Sequence, residues 1–313
     1  MARKAQREGQ PGRPPYKVNI CPGGLRIFCL TGLARYLYFY PRQTTFSFAM
    51  LKKILLGTSL LLAAGCTTVP ITGRRQLSLV SDSEMNTLAV TQYKQTLSEA
   101  RLSTNAEQTA MVKRVGTRIA SAVEQYFRQQ GQSDQLSGYS WEFNLIDDPK
   151  TVNAWCMPGG KVVVYTGILP LTKDENGLAV VLGHEISHAV AKHGAERMSD
   201  QLVAQLGSTA LSTALSQNPT TTKNIFLSAV GAGSQLGMLA FSRRQESEAD
   251  HLGLIFMAIA GYNPEGAVPF WQRMEAQSQN STPAFLSDHP ADAQRIADIK
   301  AAMPEALKYY KAR

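Results

Sequence analysis

His184-Glu185-Ile186-Ser187-His188 lies inside an apolar-periodic run over residues 178–198, and its reading decides the rest of the chain. On a helix, residues four apart share a face, so both imidazoles can reach a single zinc ion. Glu185 follows the first histidine by one place and faces the open side of such an ion, where it can take a proton from a bound water. Five residues alone are a weak signal. The flanks strengthen it, because Ala179, Val180, Val181 and Leu182 precede the motif and Ala189, Val190 and Ala191 follow it, all compatible with a helix. Downstream, Glu246 and Asp250 are again four apart on a predicted helix. A carboxylate at Glu246 completes a tripod of two histidines and one glutamate and leaves the fourth position to water. Asp250, one turn on, can accept the free ring N–H of a ligand histidine and fix its tautomer.

Three further segments extend the pattern: Val152-Asn153-Ala154-Trp155-Cys156-Met157-Pro158-Gly159-Gly160 followed by Lys161-Val162-Val163-Val164-Tyr165-Thr166-Gly167, Ser287-Asp288-His289-Pro290 with Arg295 close behind, and Pro70-Ile71-Thr72-Gly73-Arg74-Arg75-Gln76-Leu77. Together these residues resemble the gluzincin metallopeptidases of the CAAX-prenyl-protease type. They look most like a soluble bacterial branch of periplasmic, membrane-anchored lipoprotein proteases. The resemblance runs from Cys66 to Ala302. It implies one Zn2+ per chain held by His184, His188 and Glu246, with Glu185 as general base. It also implies that Asn153 contacts substrate backbone, and that His289 either steadies the oxyanion or occupies the open metal position in a resting form. Unfolded or misfolded envelope proteins are the implied substrates. The long apolar helices of the multi-span members are missing around these motifs, so processing of prenylated proteins is not expected.

The front of the chain reads differently. Residues 1–49 carry eight Lys and Arg against one Glu, several prolines and no periodic pattern, as an over-extended N-terminus would. Met50 begins a better start, with Lys52 and Lys53, a short apolar run, and small residues before Cys66. This describes a bacterial lipoprotein signal peptide over residues 50–65 with Cys66 as the lipidated residue. An ordinary secretory leader is the alternative. Thr67 next to Cys66, read by resemblance to lipoproteins generally, favours an outer-membrane anchor facing the periplasm. The formal charge of +8 then belongs to the front, because 22 basic residues face 23 acidic ones from Cys66 onward. No nucleic-acid partner is expected from that balance. Cys156 is left alone in the mature part, and packing is its expected role.

Residues 66–80 read as a tether, broken by Pro70 and Gly73, and residues 81–313 as one domain. A helical pattern covers 81–129, capped by Ser81 or Asp82. Residues 141–146 and 161–165 read as strands, with Pro158-Gly159-Gly160 turning into the second. An edge strand beside the metal helix would suit an extended substrate. The metal helix and its approach span 171–198, where Gly183 calls for a close neighbour. His193 is expected at the surface or behind a ligand, Glu248 in solvent, His251 off the metal face, and Phe270 and Trp271 in the core. The fold class is therefore α+β and mainly helical. The resemblance makes it zincin-like, an active-site helix packed on a small β-sheet. The competing functions are a chaperone or assembly factor for outer-membrane proteins that rarely cuts, and a zinc amidase acting on cell wall.

Overall fold

A computed structural model describes residues 66–69, 72–206, 219–230, 241–278, 283–289 and 294–312. The expected N-terminal extension and signal peptide lie outside the described residues. Two short strands, β1 (Cys66–Thr68) and β2 (Arg75–Leu77), form an antiparallel hairpin. Helices α1 (Asp82–Glu99) and α2 (Ala106–Gln129) follow. The strands β3 (Glu142–Ile146), β4 (Ala154–Met157) and β5 (Lys161–Tyr165) come next. The short α3 (Leu169–Thr172) leads into α4 (Glu175–Val190) and α5 (His193–Leu206). After these come α6 (Pro219–Val230), α7 (Arg243–Ile259), α8 (Ala267–Ser278), α9 (Ala284–Asp288) and α10 (Arg295–Ala306). The mainly helical α+β class holds. Among the described residues no helix is long and apolar enough to cross a membrane.

The main sheet has the order β3-β5-β4, with β3 parallel and β4 antiparallel to β5. Side chains alternate across a strand, and here both faces are covered. Ala154, Cys156, Val162 and Val164 face a core built with Ile119 and Val123 of α2, Leu182 and Ile186 of α4, and Ile255 and Phe256 of α7. Trp155, Met157 and Val163 face the other way, onto Met85 and Tyr93 of α1, Met198 of α5 and Phe226 of α6. Two-sided burial explains why β5 reads as an unbroken apolar run. It also explains why β4, four buried residues with no polar alternation, gave no strand signal of its own.

Capping fixes where the important helices begin. Ser81 and Glu84 form a reciprocal capping box on α1, and Ser242 and Gln245 form one on α7. Asp174 caps α4 by accepting from the Gly177 N–H. The helices α4 and α7 then cross at two glycines. A Cβ built on Gly183 would meet the Gly253 carbonyl oxygen at 3.0 Å, and one on Gly253 would meet Gly183 C and His184 N at 3.0 Å. That close approach is the neighbour Gly183 called for, and it sets His184 and His188 opposite Glu246 and Asp250.

Three expectations need correcting. The helical stretch 81–129 is two helices, interrupted after Glu99 and restarted by the Asn105 cap. The metal helix does not run on through 198: α4 ends at Val190, and Lys192, in the left-handed region at φ 59°, turns the chain into α5. The stretch expected as a tether is fastened down. Gln76 Nε2 donates to the Ala191 carbonyl, Leu79 N–H donates to Ser199, and Arg74 is buried in ion pairs with Glu196 and Glu248.

Candidate active site

Four side chains from three elements converge. His184 and His188 project from α4, Glu246 from the first turn of α7, and His289 from the residue closing α9. One ligand atom from each lies within 4.8 Å of every other, and all four residues are buried. His184 Nε2 is 3.0 Å from His188 Nε2 and 3.1 Å from His289 Nδ1. Glu246 Oε1 is 2.9 Å from His289 Nδ1 and 3.4 Å from His188 Nε2.

These separations can be tested against a metal. Zinc bonds of about 2 Å in a tetrahedron put neighbouring donor atoms about 3.3 Å apart, close to the values found. Glu246 Oε2 and Glu185 Oε1 are buried without a hydrogen-bond partner among the described residues. Glu246 Oε2 does lie 3.0 Å from Arg295 Nη1 and 3.5 Å from His184 Nε2, but neither contact follows a hydrogen-bonding direction. Orphaned buried carboxylate oxygens are costly, and a cation in the cluster answers that cost. The electrostatics agree. Burial opposes a charge on His184, yet Glu246 and Asp250 outweigh it and lift the imidazole to about 9, so the carboxylates call for positive charge here. Burial holds His188 far below the usual range, in the neutral form that ligates. The donor set of two imidazoles and a carboxylate, with a third imidazole beside them, fits zinc.

Each ligand histidine has a backing chain. His184 Nδ1 is 2.8 Å from Asp250 Oδ1, and Arg295 reaches the same oxygen from Nη2 at 2.8 Å. Asp250 is thus in hydrogen-bond contact with the His184 ring. Burial raises its pKa, but Arg295 and His184 outweigh that and hold it low. His188 Nδ1 lies 2.9 Å from His193 Nδ1, and His193 Nε2 lies 2.9 Å from Glu248 Oε2. So His193 is fully buried behind a ligand. Glu248, expected in solvent, is buried too. Burial pushes its carboxyl up, but hydrogen bonds from His193, Thr72 and Arg74 take it down to about 2. The left-handed turn at Lys192 re-aims His193, which a continuous helix would have pointed elsewhere.

Glu185 is buried, its Oε1 3.3 Å from His289 Nε2, and burial raises its pKa despite His289 and His184 nearby. A slot lined by Met85, Tyr139, Cys156, Lys192 and Phe241 opens onto Glu185 and His188. Phe241 stacks on His289 at 5.2 Å and lies 4.0 Å from the His188 ring, a contact that no spacing in the sequence announces. Trp271 is core, as expected, and its ring also meets His184 edge-on at 5.7 Å and carries the Arg295 guanidinium. His251 turns away to Glu305. Asn153 is buried. Its Nδ2 donates to Asp288 and its Oδ1 accepts from the Ala154 N–H, so it ties the start of β4 to the residue before His289.

Residues 107–303 match the profile of Peptidase family M48. The chain belongs to peptidase family M48. The M48 relatives include the mitochondrial metalloendopeptidase OMA1 of Schizosaccharomyces pombe, 37% identical over 243 residues, covering 76% of this chain and 66% of the relative. The human mitochondrial metalloendopeptidase OMA1 is 30% identical, covering 76% of this chain and 46% of its own length. The beta-barrel assembly-enhancing protease of Escherichia coli is 31% identical over 169 residues, covering 51% and 34%. The chain thus spans between about a third and two thirds of these curated relatives. As an M48 member it carries its zinc site in His184, His188 and Glu246.

Proposed function

We propose that this M48 protein is a zinc-dependent endopeptidase that hydrolyses unfolded or misfolded proteins of a bacterial envelope. The observation that carries the reading is Glu185: a buried carboxylate beside the metal cluster, whose Oε1 makes no hydrogen bond among the described residues and which lines the small cavity next to His188. Bound zinc supplies Lewis acidity, making water more acidic and polarising a carbonyl oxygen. Glu185 accepts the proton of the attacking water, and burial, which raises its pKa above that of an ordinary carboxylate, makes it the stronger base. It then returns that proton to the leaving amine. His289, whose Nδ1 lies 2.9 Å from Glu246 Oε1 and 3.1 Å from His184 Nε2, would either occupy the open metal position in a resting form or steady the oxyanion. The edge strand β4, packed beside α4, offers backbone to an extended substrate, and Asn153 holds the start of that strand in place. Cys66 is the lipid attachment point in this reading, tethering the enzyme to the outer membrane on its periplasmic side.

The test is casein hydrolysis by the purified protein and by Glu185→Gln, with and without a chelator, with zinc assayed in both. Zinc in both proteins and chelator-sensitive cleavage by wild type alone are expected, with a loss of at least about 100-fold in the variant. Equal cleavage by Glu185→Gln would sink the assignment of the base. Zinc in both without cleavage by either would point to a resting site plugged by His289, which His289→Ala would then open, or, if that variant is also inactive, to the assembly-factor reading.

A further inference from the structure

The two zinc-ligand histidines are braced by different routes. His184 leans directly on a carboxylate, Asp250, that an arginine holds. His188 reaches its carboxylate only through a second imidazole, His193. That carboxylate, Glu248, is held by Arg74 Nε at 2.7 Å and by the Thr72 hydroxyl. Arg74 also forks onto Glu196 through Nη1 and Nη2, and Gln245 Nε2 donates to the same glutamate at 2.8 Å. All of these groups are buried except Glu196 and Thr72. The chain runs from the hairpin β1–β2, across α5 and α7, to the ligand on α4.

Hydrogen-bond direction makes this a single wire. A histidine that binds metal through Nε2 keeps its proton on Nδ1. His188 must then donate to His193 Nδ1. That leaves the His193 proton on Nε2, where it donates to Glu248. The Glu248 oxygen that accepts it, Oε2, is the one Arg74 Nε grips. We propose that Arg74 is a positioning residue for the zinc ligand His188, acting through Glu248 and His193, so that docking of the N-terminal hairpin sets how firmly the site holds its metal. The inference concerns metal retention and stands whether or not the protein cleaves the substrates proposed above.

The test is a double-mutant cycle on zinc affinity, read by competition with a chromophoric chelator, with the visible spectrum of the Co(II)-loaded protein as a second readout. His193→Ala cuts the wire next to the ligand, and Arg74→Lys keeps the charge but loses the fork. Each is expected to weaken zinc binding by about 10–100-fold and to shift the Co(II) bands. The double variant should be no weaker than His193→Ala alone, because Arg74 then has nothing to act through. Additive losses would overturn the proposal, as would unchanged zinc affinity with only a lower melting temperature of the metal-free protein. Glu248→Gln, which removes the carboxylate that Arg74 Nε and His193 Nε2 share, carries the same cycle should Arg74→Lys not fold.

Discussion

The i, i+4 spacing of His184 with His188 and of Glu246 with Asp250 let the sequence name the cluster before any coordinates, because a helix turns that spacing directly into a shared face. The same arithmetic misplaced Glu248 and said too little about His193. One left-handed residue, Lys192, breaks the helical count between His188 and His193. Arg74, more than a hundred residues away in sequence, supplies the partner that lets Glu248 stay buried. Neither fact has a local signature. Cys156 was read as a packing residue and is buried in the sheet, where burial, with Glu185 nearby, pushes its thiol well above the usual range. Only the thiolate reacts with alkylating agents. The Cys156 peptide should therefore stay unmodified by iodoacetamide in the folded protein at pH 8–9, and label fully once denatured. Rapid labelling of the native protein, followed by mass spectrometry, would contradict that environment.

At the level of elements, the decisive feature is the crossing of α4 and α7 at Gly183 and Gly253. Alanine normally favours a helix over glycine by about 1 kcal/mol. Here the new methyl group would press on backbone that cannot swing aside. Overpacking of that kind costs about 1–3 kcal/mol, so the penalty wins. Gly253→Ala should lower stability by up to about 2 kcal/mol in urea denaturation and weaken zinc binding, since it moves Glu246 away from the two histidines. A stabilised variant with unchanged zinc affinity would show that the helices have room to spare. The sequence flagged Gly183 by its oddity within a helix, but its partner Gly253 could be known only from the crossing. Likewise β3 and β5 were visible, whereas β4 needed the neighbouring strand and helix to make an apolar tetrapeptide extended.

At the level of the whole domain, a bound metal would tie together α4, α7 and the end of α9, adding to the packing and to contacts such as His184–Asp250. A ligand that binds only the folded state stabilises it by about 4 kcal/mol when present at a thousand times its dissociation constant. For a chain of this size that is on the order of 10 °C in melting temperature. Adding a chelator should lower the melting temperature by that amount, and Glu246→Gln should melt low with or without zinc. Melting that ignores both zinc and chelator would mean the cluster holds no ion.

The ligands are also spread out in time. A ribosome delivers the chain from its N-terminus, so His184 and His188 emerge on a nearly finished α4 well before Glu246 exists, and His289 and Arg295 come last of all. A pair of histidines is a poor trap for zinc, and without Asp250 and Arg295 even that pair lacks its full bracing. In the reading proposed above, cleavage of other polypeptides would need His184, His188 and Glu246 together, so a chain that stops before α7 would lack a complete zinc site.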